Sequence, residues 1–341
     1  MKKVILLLLS LLLAQSLRSQ DFHFSQFFAG PLNLNPALTG SSDLTRMGVN
    51  YRKQWPGLDF DFNGYSAFID HYSFDLQSGF GIIVNAYNEQ NMSLNTSELG
   101  ALYSYRLRLS ENASLSMGTQ ITYARRTGNL ENLIYGDQID VFNRTINPNS
   151  IDMLNQLEPF GYLDLGLGLM FASPNYWFGI SGYHLNNPKM LNTTYSEFEF
   201  LPIKYGVQAG WQQDLGSSGY WGDDKQRYIS IMTNYKNQGV FSQLDLSTQA
   251  KYDSFIFGLG FRGMMSTSEL KNYDSVIGLV GISLEGGLIL GYSYDWMISQ
   301  VGANTKGSHE FSLRYQFLAG NPGQRGRKDR FPAQRCFNYL Y

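Results

Sequence analysis

The sequence predicts an all-β chain that closes into a transmembrane antiparallel β-barrel of about 14 strands. Three observations carry this expectation. Hydropathy alternates with a period of two in run after run. The runs are about as long as a bilayer-crossing strand, which needs roughly 9–11 residues. Charged residues make up only 16% of the chain and aromatics 15%, whereas soluble domains carry roughly 25% charge. A net charge of −2 implies no nucleic-acid partner. One cysteine and four histidines leave no material for a disulfide framework or a cysteine-rich metal centre. No P-loop, no dinucleotide-type glycine motif and no serine in a glycine elbow occurs, so no cofactor is expected.

Residues 1–19 read as a signal peptide. Met1-Lys2-Lys3 is basic, Val4 to Leu13 is apolar apart from Ser10, and Ala14, Ser16 and Ser19 are small. Cleavage is expected after Ser16 or Ser19, with Ser19 favoured, which leaves Gln20-Asp21 at the mature terminus. Residues 20–43 precede the first strand. Phe22, Phe24, Phe27 and Phe28 need burial, and Asn35-Pro36-Ala37 with Gly40 is turn chemistry. This stretch is expected either to tuck into the lumen as a partial plug or to pack against the periplasmic rim.

The barrel is expected over 44–318. Its strands fall near 44–52, 63–71, 79–88, 96–108, 113–126, 160–173, 176–186, 202–213, 226–236, 239–251, 254–263, 274–284, 287–296 and 308–318. The clearest is Ala113–Arg126, where Leu115, Met117, Ile121 and Tyr123 oppose Ser114, Ser116, Gly118, Gln120 and Thr122. In Glu98–Leu109, Leu99, Ala101, Tyr103, Tyr105 and Leu107 oppose Glu98, Gly100, Arg106 and Arg108. The alternation is weakest near 63–71, 226–236 and 274–284. An even count suits a bacterial barrel, and short and long connections alternate as periplasmic turns and external loops do. Asp214–Lys225 and Asn237-Gln238 break that alternation. A soluble sandwich would carry charge on its outer face; here one face stays apolar to the strand ends. Tyr51, Trp55, Trp177, Trp211, Tyr235 and Trp296 suit interfacial girdles.

The lumen is expected to be polar. It should hold Arg46, Arg52, Glu98, Arg106, Arg108, Arg126, Asp164, Asp245, Lys251, Arg262, Glu310 and Arg314. These charges either pair across strands or form a polar seat for a docked chain. The longest loop, Thr127–Pro159, contains Asp137, Asp140, Asp152 and Glu158. Residues 319–341 form a basic tail, in which Arg325, Arg327, Lys328, Arg330 and Arg335 outnumber Asp329. The tail is either solvated or a docking strap for acidic periplasmic proteins. Asp59–Gly64 resembles the start of a calcium loop, but the twelfth position is Asp70 rather than Glu. Ser181 and His184 have an odd spacing that puts them on opposite faces of a strand.

Two blocks remain: Asp21, Phe24, Ser25, Gln26, Pro31, Asn35, Pro36, Ala37 and Gly40, then Asn50-Tyr51-Arg52-Lys53-Gln54-Trp55-Pro56 with Tyr65, Ser66 and Asp70. In these blocks and their order the chain resembles the PorP/SprF family, outer-membrane proteins of the type IX secretion system in Bacteroidetes. The resemblance implies a non-enzymatic outer-membrane component; the even strand count and the alternating loop lengths put both termini in the periplasm. Its partners would be the type IX translocon, periplasmic secretion components and outer-membrane lipid. Its client would be a secreted surface protein with a C-terminal sorting domain, such as a gliding adhesin, which it delivers or holds. Phe24, Ser25, Gln26, Asn35, Pro36, Ala37, Gly40, Arg52, Gln54 and Trp55 are then candidate partner-binding residues, with Arg325, Arg327, Lys328 and Arg330 of the tail. The alternative function is a channel or transporter for small or hydrophobic solutes.

Overall fold

The computed structural model describes residues 21–58, 61–89, 94–128, 136–140, 143–148, 159–189, 200–215, 227–264, 273–284, 286–299 and 302–317. The signal-peptide segment, the basic tail with its four candidate residues, and Cys336 lie outside the described residues.

Among the described residues, fourteen strands close one barrel. They are β1 (Thr45–Gln54), β2 (Phe62–Ser73), β3 (Ser78–Glu89), β4 (Leu94–Ser110) and β5 (Ala113–Thr127). After a two-stranded hairpin, β6 (Ile139–Asp140) and β7 (Thr145–Ile146), come β8 (Phe160–Ala172), β9 (Tyr176–Tyr183), β10 (Lys204–Asp214), β11 (Arg227–Gln238) and β12 (Phe241–Tyr252). β13 (Phe255–Met264), β14 (Tyr273–Leu284), β15 (Leu288–Met297) and β16 (Ser308–Phe317) complete the wall. Each strand pairs antiparallel with its sequence neighbour, and β1 pairs with β16 from Thr45↔Phe317 to Gln54↔Ser308. Closure leaves no strand edge, as a bilayer demands of backbone polar groups.

Each expected segment is a strand, with small shifts at the ends. β9 stops at Tyr183 instead of reaching 186, because His184 takes φ +59° and turns the chain out of the ladder. β11 runs to Gln238, so the turn is Gly239-Val240 rather than Asn237-Gln238, with Gly239 at φ +60°. The hairpin β6–β7 lies in the long loop, where no strand was expected.

The period-two pattern is realised as two faces. Leu99, Ile121, Leu167 and Leu259 are among the many large apolar side chains exposed on the outside. An apolar surface this extensive suits lipid rather than water. The inward positions are buried, and what buries them is residues 21–43.

That segment runs the length of the lumen. Two rims can be defined: a near rim with Thr45 and Phe317, and a far rim with Gln54, Tyr183, Lys204 and Gln238. Asp21 bonds to His184, Lys204 and Gln238 at the far rim, whereas Asp43 pairs with Arg106 towards the near rim. The two described ends of the chain, Asp21 and Phe317, therefore lie at opposite rims; the termini themselves lie outside the described residues.

Towards the near rim the lumen is an apolar core. Phe27, Phe28, Leu34, Ala37 and Leu38 of the segment pack with inward Met170, Trp177, Met232, Ile256, Leu279 and Ile289. Leu32 packs in a second cluster with Phe68, Ile83 and Leu102. The lumen is thus not polar throughout. Trp177 is not in an interfacial girdle; at 2% exposure it belongs to this core. Each such aromatic or aliphatic side chain contributes about 1.5–3 kcal/mol on burial. At Gly79 and Gly118 any side chain would collide with the backbone of Thr39 and of Pro36, so these positions let the segment lie directly on the wall.

Candidate functional site

The segment is fastened to the wall at four places. The first is its far-rim tip. Asp21 accepts from Lys204 Nζ at 2.6 Å and Gln238 Nε2 at 3.0 Å, and lies 2.9 Å from His184 Nε2. His184 Nδ1 is 3.0 Å from Asp164. Burial works against charge on His184, but Asp21 and the hydrogen bonds to Asp164 and Asp21 lift its pKa to about 9. Burial likewise opposes charge on Asp21, yet Lys204 and His184 hold its carboxyl well below the usual range. Both groups are therefore charged at neutral pH.

The second fastening is a buried ionic cluster around Ser25. Its backbone N–H donates to Glu310 Oε2 at 2.6 Å, and its hydroxyl donates to Asp295 Oδ2 at 2.6 Å while accepting from Arg52 and Arg262. Arg52 bridges Asp295 at 2.8 Å and Glu310 at 3.2 Å. Arg262 bridges Asp295 at 3.1 Å and Asp245 at 2.8 Å. Gln26 extends the cluster: its N–H donates to Glu310, its amide donates to Ser293, and it accepts from Ser312. Five ions buried this deeply are tolerable because each has both a counter-charge and hydrogen bonds.

The third is Asn35, which is fully buried. Its Oδ1 accepts from Ala37 N at 2.9 Å, capping the turn Pro36–Leu38. Its amide donates to the carbonyls of Leu169 and Ile180 and to Gln208. The fourth is Gly40, at φ +68°, where a side chain would meet the Cα of Gly79. Its N–H donates to Asp70 at 2.7 Å, its carbonyl accepts from Arg106, and Arg46 makes a two-pronged pair with Asp70.

The sequence motifs thus meet inside the barrel. Phe24, Ser25, Gln26, Asn35, Pro36, Ala37, Gly40 and Arg52 are all buried in the lumen. Trp55, at φ +60°, and Gln54 line a cavity at the far rim instead of an outer girdle. Of the expected lumen charges, Arg108 emerges exposed near the near rim, and the others point inward. Ser181 and His184 line the same cavity despite their odd spacing, since β9 ends between them. They do not form a nucleophile–base pair: Ser181 Oγ donates to Leu34 O at 3.3 Å and accepts from Gln208. Of the calcium-like stretch, Phe62–Gly64 lies in β2 and Asp70 is held by Arg46. Sequence reasoning missed Asp295 and Ser293, although both follow the inward parity of β15.

The cavity has a volume of about 620 Å³ and lies in the far half of the lumen, between the segment and β2–β5 and β8–β12. Its rim carries Glu89, Leu94, Lys204, Phe241 and Met264, and its floor is Phe27 and Leu34.

The fold and its contents define a class: a membrane β-barrel whose lumen is occupied end to end by its own N-terminal segment. The sequence profile of type IX secretion system membrane protein PorP/SprF matches residues 16–315. The chain belongs to this family. No curated protein matches it. Solved barrels are similar in outline. The outer membrane protein Omp33 of Acinetobacter baumannii is 7% identical, with 82% of this chain and 100% of that one covered and a TM-score of 0.42. CdiB from Acinetobacter baumannii is 8% identical over 80% of this chain and 60% of that one, with a TM-score of 0.43. A FadL homologue of Pseudomonas aeruginosa is 10% identical over 83% and 92%, with a TM-score of 0.45.

Proposed function

We propose that this protein is a non-enzymatic outer-membrane component of type IX secretion that holds or delivers a secreted surface protein, such as a gliding adhesin. It would act in contact with the translocon and periplasmic components. The observation that carries this reading is the lumen: residues 21–43 fill its near half with an apolar core, so the barrel suits a rigid anchor better than a conduit. The buried motif residues then serve by fixing the segment. Contact with partners falls to the loops and to the basic tail, Arg325, Arg327, Lys328 and Arg330. With the near rim in the periplasm, the far rim, with Asp21, faces outwards.

The test is co-purification. A tagged chain extracted in mild detergent should bring down translocon components. Deleting Gly323–Tyr341 should weaken that association, most of all at low salt, and the intact chain's association should itself weaken as salt rises, because attraction between exposed charges is screened over about 8 Å at physiological salt. Co-purification of no secretion component would overturn the proposal. The far-rim cavity favours the second reading, a solute channel. Steady ion conductance through single barrels in planar bilayers would support that reading over the anchor.

A further inference from the structure

The far-rim cavity carries polar groups that the fold leaves without partners. Asn85, Gln120 and Asn234 are each more than nine-tenths buried and line the cavity. In all three the amide oxygen has no hydrogen-bond donor. The indole N–H of Trp55, also in the lining, has no acceptor. Glu98 completes the set: among the described residues its carboxylate accepts from Asn85 Nδ2, at 3.0 Å, and makes no ion pair. Buried polar groups in native proteins are nearly always satisfied, and each exception needs an account.

These groups lie on opposite walls. Asn85 and Glu98 are register partners on β3 and β4, and Gln120 follows on β5. Asn234 projects from β11 across the lumen. Between them stand aromatic rings: Phe22 stacks on Tyr87 with centroids 5.2 Å apart, and Trp55 packs edge-on to Phe62 at 5.7 Å. Of the other charges in the lining, Asp21 pairs with Lys204, Asp164 with His184, and Lys236 with Asp245.

We propose that this cavity binds a neutral oligosaccharide. Its hydroxyls would donate to the oxygens of Asn85, Glu98, Gln120 and Asn234, one hydroxyl would accept from Trp55 Nε1, and its apolar ring faces would lie against the aromatic side chains. The donors required are several and are spread across the cavity, which a single ammonium group cannot supply. The unpartnered groups named above are mostly acceptors, which an extended peptide, alternating donors with acceptors, would use poorly. A volume of about 620 Å³ lies within the roughly 300–1,000 Å³ of ordinary ligand sites. This inference is independent of the secretion reading.

The experiment is isothermal titration of the full-length barrel in a detergent without a sugar headgroup. The probes are maltotriose, cellotriose and chitotriose, with hexylammonium and trialanine amide as rivals. At least one trisaccharide should saturate. Its affinity should fall about tenfold in Trp55→Phe and in Gln120→Met, each of which removes one hydrogen-bonding group, and should be unchanged in the lipid-facing Leu167→Ala. Heat-modifiable gel migration checks that each variant is folded. Should a variant fail to fold, acrylamide quenching of the wild-type tryptophans gives a second readout, which the sugar should reduce. The proposal is overturned if no trisaccharide saturates at its solubility limit, if the ammonium or the peptide binds instead, or if folded Trp55→Phe and Gln120→Met bind as well as wild type.

Discussion

The two halves of the lumen are built from the same strands but differ in kind. The near half is a dry core of Phe27, Phe28, Leu34 and Leu38 against Trp177, Met232 and Ile256. The far half holds a cavity walled by amides, carboxylates and aromatic rings. The backbone does not differ: both halves are antiparallel ladder with every second side chain inward. The contents differ because the segment's own sequence changes along its length. Residues 27–38 are rich in Phe, Leu and Pro, while Asp21, Ser25 and Gln26 are polar and seek charged walls. A barrel interior can therefore be part core and part vestibule, decided by what threads it.

The buried ionic cluster towards the far rim should be the hardest place to disturb. Arg52→Leu leaves Asp295 and Glu310 short of a counter-charge in a buried cluster, which should cost about 3–5 kcal/mol. A large fall in the urea midpoint of barrel unfolding is the expected result, partly restored by adding Asp295→Leu. Within the near half, Leu38→Ala should cost about 2–5 kcal/mol, because the packed core cannot collapse into the gap. Leu94→Ala at the cavity rim should cost under about 1 kcal/mol, since its side chain already borders open space. Equal costs in the two would erase the distinction between core and vestibule.

Inside against outside gives the next contrast. Leu167→Arg puts a charge into lipid, at about 2–4 kcal/mol near the midplane, and should lower the yield of assembled barrel. Gln120→Arg points into the cavity and should assemble normally. Equal yields would mean that the register is wrong.

The smallest effect concerns the far-rim tip. His184 has its pKa raised to about 9, above its unfolded value of about 6.5. Its contribution is therefore full below about pH 6.5 and lost as pH rises through about 9. The carboxyl of Asp21 is depressed, so its contribution is present above its unfolded pKa and lost as the pH falls through its low folded value. A cysteine at position 22 should be protected from a thiol reagent near neutrality and should label faster above about pH 9. Measured relative to a fully exposed cysteine at the same pH, which cancels thiolate formation, His184→Gln should abolish the extra rise. A relative rate that does not vary with pH would remove His184 from the clamp.

Much of the wall was legible in the sequence, because each strand of a closed barrel shows one face to lipid and the other to the lumen and so must alternate. Ala113–Arg126 and Glu98–Leu109 show how a period of two places Leu115 outside and Gln120 and Arg106 inside before any coordinate is known. The ends of strands were less legible: a single left-handed residue, His184, moves an odd-spaced pair to one side, and period counting does not register φ. Trp177 misled for a related reason, since an aromatic near a strand end suits a girdle and a core equally until a partner is known.

By itself, then, the sequence determined the barrel, its strand count, which side chains face lipid, and the family motifs. All of these follow from local periodicity and short-range pattern. Only the tertiary structure decided that Ser25 would meet Glu310 and Asp295, that Asn35 would meet Leu169 and Ile180, and that Asp21 would reach the rim opposite Phe317. The physical reason is separation along the chain. Ser25 and Glu310 are 285 residues apart, and nothing in either neighbourhood encodes the other. They come together because barrel closure encloses one lumen and the segment has to satisfy its polar groups against whichever strands surround it.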